Sequence, residues 1–311
     1  MKNTLIMIVG PTAVGKTDLC IHLAKHFETD IISTDSRQFF KELTIGTAKP
    51  SENEMQDIKH HFINSKSISE NYNVGDFEKD SLDLLDQLFK QKKVVIATGG
   101  SGLYIKILCD GMDEIPEADI NIRNILEEKF KKEGLKTLFN QLEILDPEFA
   151  NKVDANNPQR IMRALEVCLQ TGKTYSSFRV GQKKNRPFQI IKIGLNRERE
   201  ELYERINRRM DEMLKNGLIE EAKSLYHFKN HNALKTVGYT EIFDFIDGKY
   251  DNLEMIRLLK RNSRRYAKRQ MTWFKKDESI TWFHPNNAEE IIKFIEDKIK
   301  EWNNYLIHES L

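Results

Sequence analysis

The sequence predicts an α/β protein, a parallel-sheet core interrupted by a helical insertion and followed by a helical C-terminal region. Short continuous apolar runs occur at 5–9, 31–34 and 94–98, with the length and β-branched character of strands buried on both faces. Helical stripes lie between them: Leu19, Leu23 and Phe27, then Leu84, Leu85, Leu88 and Phe89. Strand alternating with helix is the pattern of a parallel sheet. A fourth run, 188–195, comes only after about ninety residues that lack a strand signal, which marks an insertion.

The elements follow in order. Residues 1–114 and 186–311 form the predicted core, and 115–185 the insertion. Within the insertion the helical patterns are Ile122, Ile125, Leu126 and Phe130, then 135–145, then Ile161, Leu165 and Leu169 closed by Thr171 and Gly172. Pro116, Pro147, Pro158 and Pro187 fall at the joints. From Arg197 onward the chain reads as helical, with Leu202, Ile206, Met210 and Met213 along one stripe.

Composition bounds the function. The 311 residues include 49 Lys+Arg and 48 Asp+Glu, a net charge of +1 with 31% charged, so whole-chain charge points to no partner. Glycine and proline together make only 22 residues, too few for the turns of an all-β sandwich or propeller. A 39% hydrophobic content excludes a disordered chain. The three cysteines, 20, 109 and 168, are far apart with no Cys-x-x-Cys, as expected of a protein in a reducing cytoplasm. No run approaches the roughly 18 apolar residues of a membrane helix, and the first apolar run is too short for a signal peptide.

Chemistry enters with the first turn. Gly10, Pro11, Thr12, Ala13, Val14, Gly15, Lys16 and Thr17 match GxxxxGK[ST] between a predicted strand and a predicted helix, the context of a phosphate-binding loop. Backbone N–H groups and a helix N-terminus suit a polyphosphate, Lys16 meets its charge, and the Thr17 hydroxyl suits Mg2+. The core is therefore expected to be P-loop NTPase-like. Asp35 lies just past the second strand, where the C-terminal ends of parallel strands line a ligand crevice. It fits a metal-ligating carboxylate, a general base or a helix N-cap. The strand at 94–98 ends in Gly99-Gly100-Ser101-Gly102 without the aspartate of motor ATPases, which counts against an ordinary ATP hydrolase.

Two basic segments follow. Arg160 and Arg163 share one helical face and suit either a phosphate grip or solvent-facing pairs with Glu166. Residues 257–276 carry nine Lys/Arg and no acid. A stripe of Arg257, Arg261, Arg264 or Arg265, and Lys268, with Tyr266 and Trp273 interleaved, suits a nucleic-acid backbone or a solvated face. His60 and His61 have no ligand partner at metal spacing and read as structural or loop residues.

Taken together, GPTAVGKT at 10–17, STDSRQ at 33–38, IGTAKP at 45–50, ATGGSGLY at 97–104, NNPQRIMRALEV at 156–167, TVGY at 236–239 and AKRQMTWF at 267–274 resemble the tRNA dimethylallyltransferases, the IPP transferase family. The segment 195–209 matches in outline. The phosphate loop alone is widespread, whereas IGTAKP, PQR with RALE, and AKRQxTWF together are specific. The resemblance implies transfer of a dimethylallyl group from dimethylallyl diphosphate to N6 of the adenine 3′ of a tRNA anticodon, position 37, with Mg2+. It implies Asp35 and Ser101 as catalytic residues, and Asp35, Ser36, Arg37, Gln38 and Ser101 at the target nucleotide. Arg123, Gln159, Arg160, Ile161, Met162 and Arg163 are implied as tRNA contacts from the insertion, gripping the anticodon stem-loop.

Three departures from the family pattern stand out. Ser101 replaces the usual Thr, Lys235 stands where many members have Arg, and Thr240-Glu241 replaces Arg-Gln. Rival readings are an isopentenyltransferase for free adenine nucleotides, a P-loop nucleoside or nucleotide kinase, and a nucleic-acid-binding NTPase. A site built within one chain is compatible with a monomer.

Overall fold

The computed structural model describes residues 2–309, with side chains to residue 304. The chain opens with β1 (Thr4–Val9), α1 (Lys16–His26), β2 (Ile31–Ser33), α2 (Glu52–Met55), β3 (His60–His61), α3 (Val74–Leu88), β4 (Val94–Gly99) and α4 (Gly102–Asp110). The helices α5 (Ile120–Glu133), α6 (Leu135–Leu145), α7 (Pro147–Ala150), α8 (Pro158–Thr171) and α9 (Tyr175–Phe178) come next. After them run β5 (Gln189–Leu195), α10 (Arg199–Lys215), α11 (Leu218–Ser224), α12 (Tyr239–Ile246), α13 (Asn252–Phe274), β6 (Ile280–Phe283) and α14 (Ala288–Glu309). Among the described residues, no helix is long and apolar enough to cross a membrane.

The six strands form one sheet in the order β3-β2-β4-β1-β5-β6, every neighbouring pair parallel. The central strand β1 is buried along its whole length, and its side chains alternate between two cores. Ile6 and Ile8 pack with Leu19 and Leu23 of α1 and Ile291 and Ile295 of α14. Leu5, Met7 and Val9 face the other way, toward Phe77 and Leu85 of α3 and Leu108 of α4. Fully burying each such side chain contributes about 1.5–3 kcal/mol. The segment after β5, read as wholly helical, also supplies the edge strand β6. Only one of its four residues is fully buried, so it lacks the apolar run of a central strand. The other edge, β3, is just the two histidines.

The described chain divides into two compact units, residues to Cys109 with those from Arg186 onward, and Asp110–Asn185. The second unit starts before residue 115 because its entry and exit segments are tied together. Lys184 N–H donates to Asp110 O at 2.8 Å, and Gly181 N–H donates to an Asp113 carboxylate oxygen at 2.9 Å. Its helices start on short polar caps: Asp119 for α5, Asp146 for α7 and Asn157, followed by Pro158, for α8. Leu126, Leu138, Leu142, Ile161 and Leu165 fill its core.

Beside that core lies a charged triad. Glu166, 1% exposed, accepts from Arg123 Nε at 3.0 Å and from Arg163 NH1 at 2.7 Å. Both arginines are partly solvated, so the triad forms without stripping water from all three charges. Removing the carboxylate leaves two neighbouring guanidinium groups without their acceptor. Glu166→Ala should therefore destabilise the helical unit by about 2 kcal/mol, read as a lower urea midpoint; an unchanged midpoint would show that the triad adds nothing.

Candidate active site

The sheet topology brings the sequence motifs to one place. The turns after β1, β2 and β4 all leave the C-terminal edge of neighbouring parallel strands, where α/β proteins bind ligands. Between them lies a cavity of about 360 Å³, lined by Thr12 through Asp18, Asp35, Arg37, Gln38, Thr98 to Gly100, and residues of α10 and α13.

The phosphate loop is folded around its own lysine. Lys16 Nζ donates to the carbonyls of Gly10 and Pro11 at 2.9 and 2.8 Å. Burial, then the neighbouring Arg209 guanidinium, lowers its pKa to about 8, with Asp35 acting in the opposite direction. Thr17, in the first turn of α1, lines the cavity, and its hydroxyl makes no hydrogen bond among the described residues.

Arginines that the sequence reading left without a role brace this loop from outside. Arg197 Nε donates to Val14 O at 2.8 Å, and Arg205 Nε donates to Ala13 O at 2.9 Å. Arg209 approaches the Thr12 hydroxyl at 3.5 Å. Burial depresses the Arg209 pKa foremost, and repulsion from Arg205 adds to this. Arg205 and Arg209, at i and i+4 on α10, both line the cavity. That spacing was the available signal, since it sets two cations on one helical face.

Asp35 is not a helix N-cap. It sits in the turn after β2, where its Oδ1 accepts from Arg37 N–H at 2.9 Å, and it lines the cavity with Arg37 and Tyr266. Burial and the Asp35 carboxylate push the Tyr266 phenol upward, so it stays neutral at physiological pH. Ser101 lies behind this turn. Its Oγ accepts from Ser36 N–H at 3.0 Å and donates to Ser36 Oγ at 3.1 Å, so its hydroxyl orients the Asp35 turn. The Gln38 side chain is spent on Ser33 and the carbonyls of Thr47 and Ala48.

The IGTAKP segment is held by a residue outside every motif. Glu221 accepts from the N–H groups of Thr44, Ile45 and Gly46 at 3.1, 2.8 and 2.9 Å and from the Tyr239 hydroxyl at 2.6 Å. A Cβ on Gly46 would stand 2.5 Å from the Tyr239 ring, so glycine is needed there for the two segments to meet. Lys235 is exposed and does not line the cavity, whereas Glu241 is buried and caps Gly238 N–H at 2.8 Å. His60 lines the cavity after all, with Nδ1 2.8 Å from Ile58 O, while His61 pairs with Asp30 at 2.8 Å.

The basic stripe of α13 splits in two. Arg257 pairs with Glu254, Lys260 with Asp211, and Arg264 bonds Asn207. Arg265, Lys268, Arg269 and Lys276 instead surround Trp273, which is 40% exposed, and none of the four has an ion-pair partner among the described residues. In the helical unit, Gln159 and Arg160 are exposed. Arg123 and Arg163 hold Glu166, and Met162 is partly buried. Ile161 is 0% exposed, so its side chain faces the unit's core and is removed from the expected contact set.

Fold and cavity define a P-loop α/β protein in which a cationic cradle shares one cavity with the Asp35 carboxylate. A family model described as IPP transferase matches residues 38–277. A Cytophaga hutchinsonii protein named tRNA dimethylallyltransferase is 55% identical over 97% of this chain and 99% of its own length. A Bacteroides fragilis protein named tRNA dimethylallyltransferase 1 is 48% identical over 96% and 99%. Among solved structures, the full-length tRNA isopentenylpyrophosphate transferase of Bacillus halodurans is 38% identical with a TM-score of 0.73, covering 99% of this chain and 100% of that one. A eukaryotic dimethylallyltransferase acting on tRNA is 27% identical with a TM-score of 0.82, covering 96% and 80%. The chain belongs to the IPP transferase family.

The Lys16 pKa fixes a pH dependence. The ammonium is charged below about 8 and loses its proton above it. Affinity for inorganic diphosphate, measured by calorimetry, should therefore fall as pH rises through about 8, and Lys16→Arg should remove that fall. An identical profile in the variant would assign the titration elsewhere.

Proposed function

We propose that this protein transfers a dimethylallyl group from dimethylallyl diphosphate to N6 of the adenine 3′ of the anticodon, position 37, in tRNA. The observation that carries the reading is one cavity that joins Lys16 and Thr17 to Asp35. A diphosphate leaving group needs a cation cradle, and an attacking amine needs a base, in the same enclosed space.

In the reaction, the N6 lone pair forms a bond to C1 of the dimethylallyl group as the C1–O bond breaks. The electron pair leaves with diphosphate, whose growing charge meets Lys16, Arg209 and the loop amides. Asp35 takes the N6 proton. Ser101, through Ser36, holds the turn that aims this carboxylate. The strand β4 ends in Thr98 and Gly99, so no strand-end aspartate is present to support hydrolysis.

Mg2+ fits the donors. The Thr17 hydroxyl is open to the cavity, and no cluster of three His, Cys, Asp or Glu side chains exists among the described residues. That arrangement suits an ion held jointly by Thr17, water and substrate phosphate oxygens. Bound there, Mg2+ would neutralise charge on the departing diphosphate.

A base stacked in an anticodon loop must leave the stack to enter an enclosed cavity. The open basic surface of α13 around Trp273, and Gln159 and Arg160 of the helical unit, supply contacts for the RNA backbone and an unpaired base. A tRNA substrate supports action in the cytoplasm.

Asp35→Asn keeps the turn but cannot accept a proton. It should lower kcat about 100- to 10,000-fold with tRNA affinity unchanged, measured with labelled dimethylallyl diphosphate and filter binding; near-normal turnover would take the base role away from Asp35. A second comparison tests the RNA surface. Arg160→Ala and Arg265→Ala should each weaken tRNA binding and reduce its salt slope by about one. Arg257→Ala, whose guanidinium is already held by Glu254, should change neither, and equal effects in all three would sink the division of the stripe.

A further inference from the structure

Three side chains of α13 line the cavity, Ser263, Tyr266 and Gln270, at i, i+3 and i+7 and therefore on one face. Gln270, 6% exposed, uses both ends of its carboxamide. Its Oε1 accepts from the backbone N–H of Thr12 at 2.9 Å, and its Nε2 donates to the carbonyl of Gly100 at 3.0 Å. The partners fix the amide's orientation, because a flipped group would set donor against donor and acceptor against acceptor. No other side chain except asparagine, a methylene shorter, carries a donor and an acceptor on one planar carbon.

The approach is close. A Cβ on Gly100 would stand 2.2 Å from Gln270 Nε2, and one on Gly102 would stand 2.3 Å from the Trp273 indole. The glycine loop after β4 thus lies flat against α13. From Gly100 the chain runs directly to Ser101, which bonds the Ser36 amide next to Asp35. One carboxamide therefore joins the loop that binds phosphate to the loop that orients the carboxylate, and the opposite face of the same helix carries Arg265, Lys268 and Arg269.

We propose that Gln270 is a positioning residue that holds the phosphate loop in its anion-binding shape by tying Thr12 to Gly100. The proposal rests on the reading of this loop as the diphosphate site. Gln270 acts through the two backbone groups it holds and bonds no part of the substrate. Without the carboxamide, the Thr12 amide is unpaired on a loop whose geometry decides diphosphate affinity, and tRNA contacts on the outer face of α13 are untouched.

The experiment uses the full chain, with inorganic diphosphate and Mg2+ as the calorimetric probe alongside steady-state kinetics. Gln270→Met keeps length and neutrality but makes neither hydrogen bond. Gly100→Ala displaces the carboxamide from the other side, and decides the question alone if the methionine variant does not fold. Each should weaken diphosphate about tenfold or more and raise the KM for dimethylallyl diphosphate more than it lowers kcat. The affinity for tRNA should stay within about twofold, and the double variant should be no worse than the poorer single one.

Diphosphate affinity within about threefold of wild type in both variants, or a matching loss of tRNA affinity, would overturn the proposal. A wild-type protein that fails to bind diphosphate would overturn the reading of the loop and this proposal with it. Wild-type binding that persists in the variants overturns this proposal alone.

Discussion

A loop that offers its backbone N–H groups to an anion must place its carbonyl oxygens elsewhere, and buried carbonyls need donors. Here those donors are cations. Lys16 serves Gly10 and Pro11, Arg205 serves Ala13, and Arg197 serves Val14. Hydrogen bonds to charged groups contribute about 1.5–3 kcal/mol each, so the loop is shaped before any ligand arrives. Two of these cations, Lys16 and Arg205, also line the cavity and add to its positive charge. Shape and charge thus share residues, and α10 is tied to the loop through Arg205.

Much of this was legible in the sequence because it depends on local pattern. The run at 5–9, the glycine motif and the stripe of α1 announce strand, loop and helix in contiguous residues. The helical insertion was equally plain from its periodicity and prolines. The edge strands were not. Two histidines carry no strand signal, and the Ile280–Phe283 strand has only one buried residue. Such strands exist because β2 and β5 offer unpaired edges, which is a tertiary cause. The arginine brace was hidden for a related reason. Nothing local marks Arg197 for burial, yet its side chain is 7% exposed, since a carbonyl distant in sequence and Glu201 satisfy it.

Charge shows how far an average can mislead. The chain is nearly neutral, and residues 257–276 concentrate positive charge without an acid. Structure narrows that concentration again, because Asp211 and Glu254 neutralise the first turns of α13. Among the cations left without an acidic partner, four surround one indole. A small cationic surface with a stacking ring favours a defined RNA element over any polyanion, since each uncompensated cation adds to non-specific, salt-sensitive binding.

The motifs read separately along the sequence are, in space, pairs that interlock. IGTAKP meets TVGY where Gly46 admits the Tyr239 ring, and Glu221 bonds both. ATGGSG meets AKRQMTW where Gly100 and Gly102 admit Gln270 and Trp273. In each pair a missing Cβ on one segment makes room for a large side chain on the other, so neither segment can be altered alone without a clash or a void. The second interlock places Trp273 and Gln270 three residues apart on α13, one within the basic surface and one against the phosphate loop. The division of α13 into two faces lets one helix serve both the phosphate loop and the basic surface.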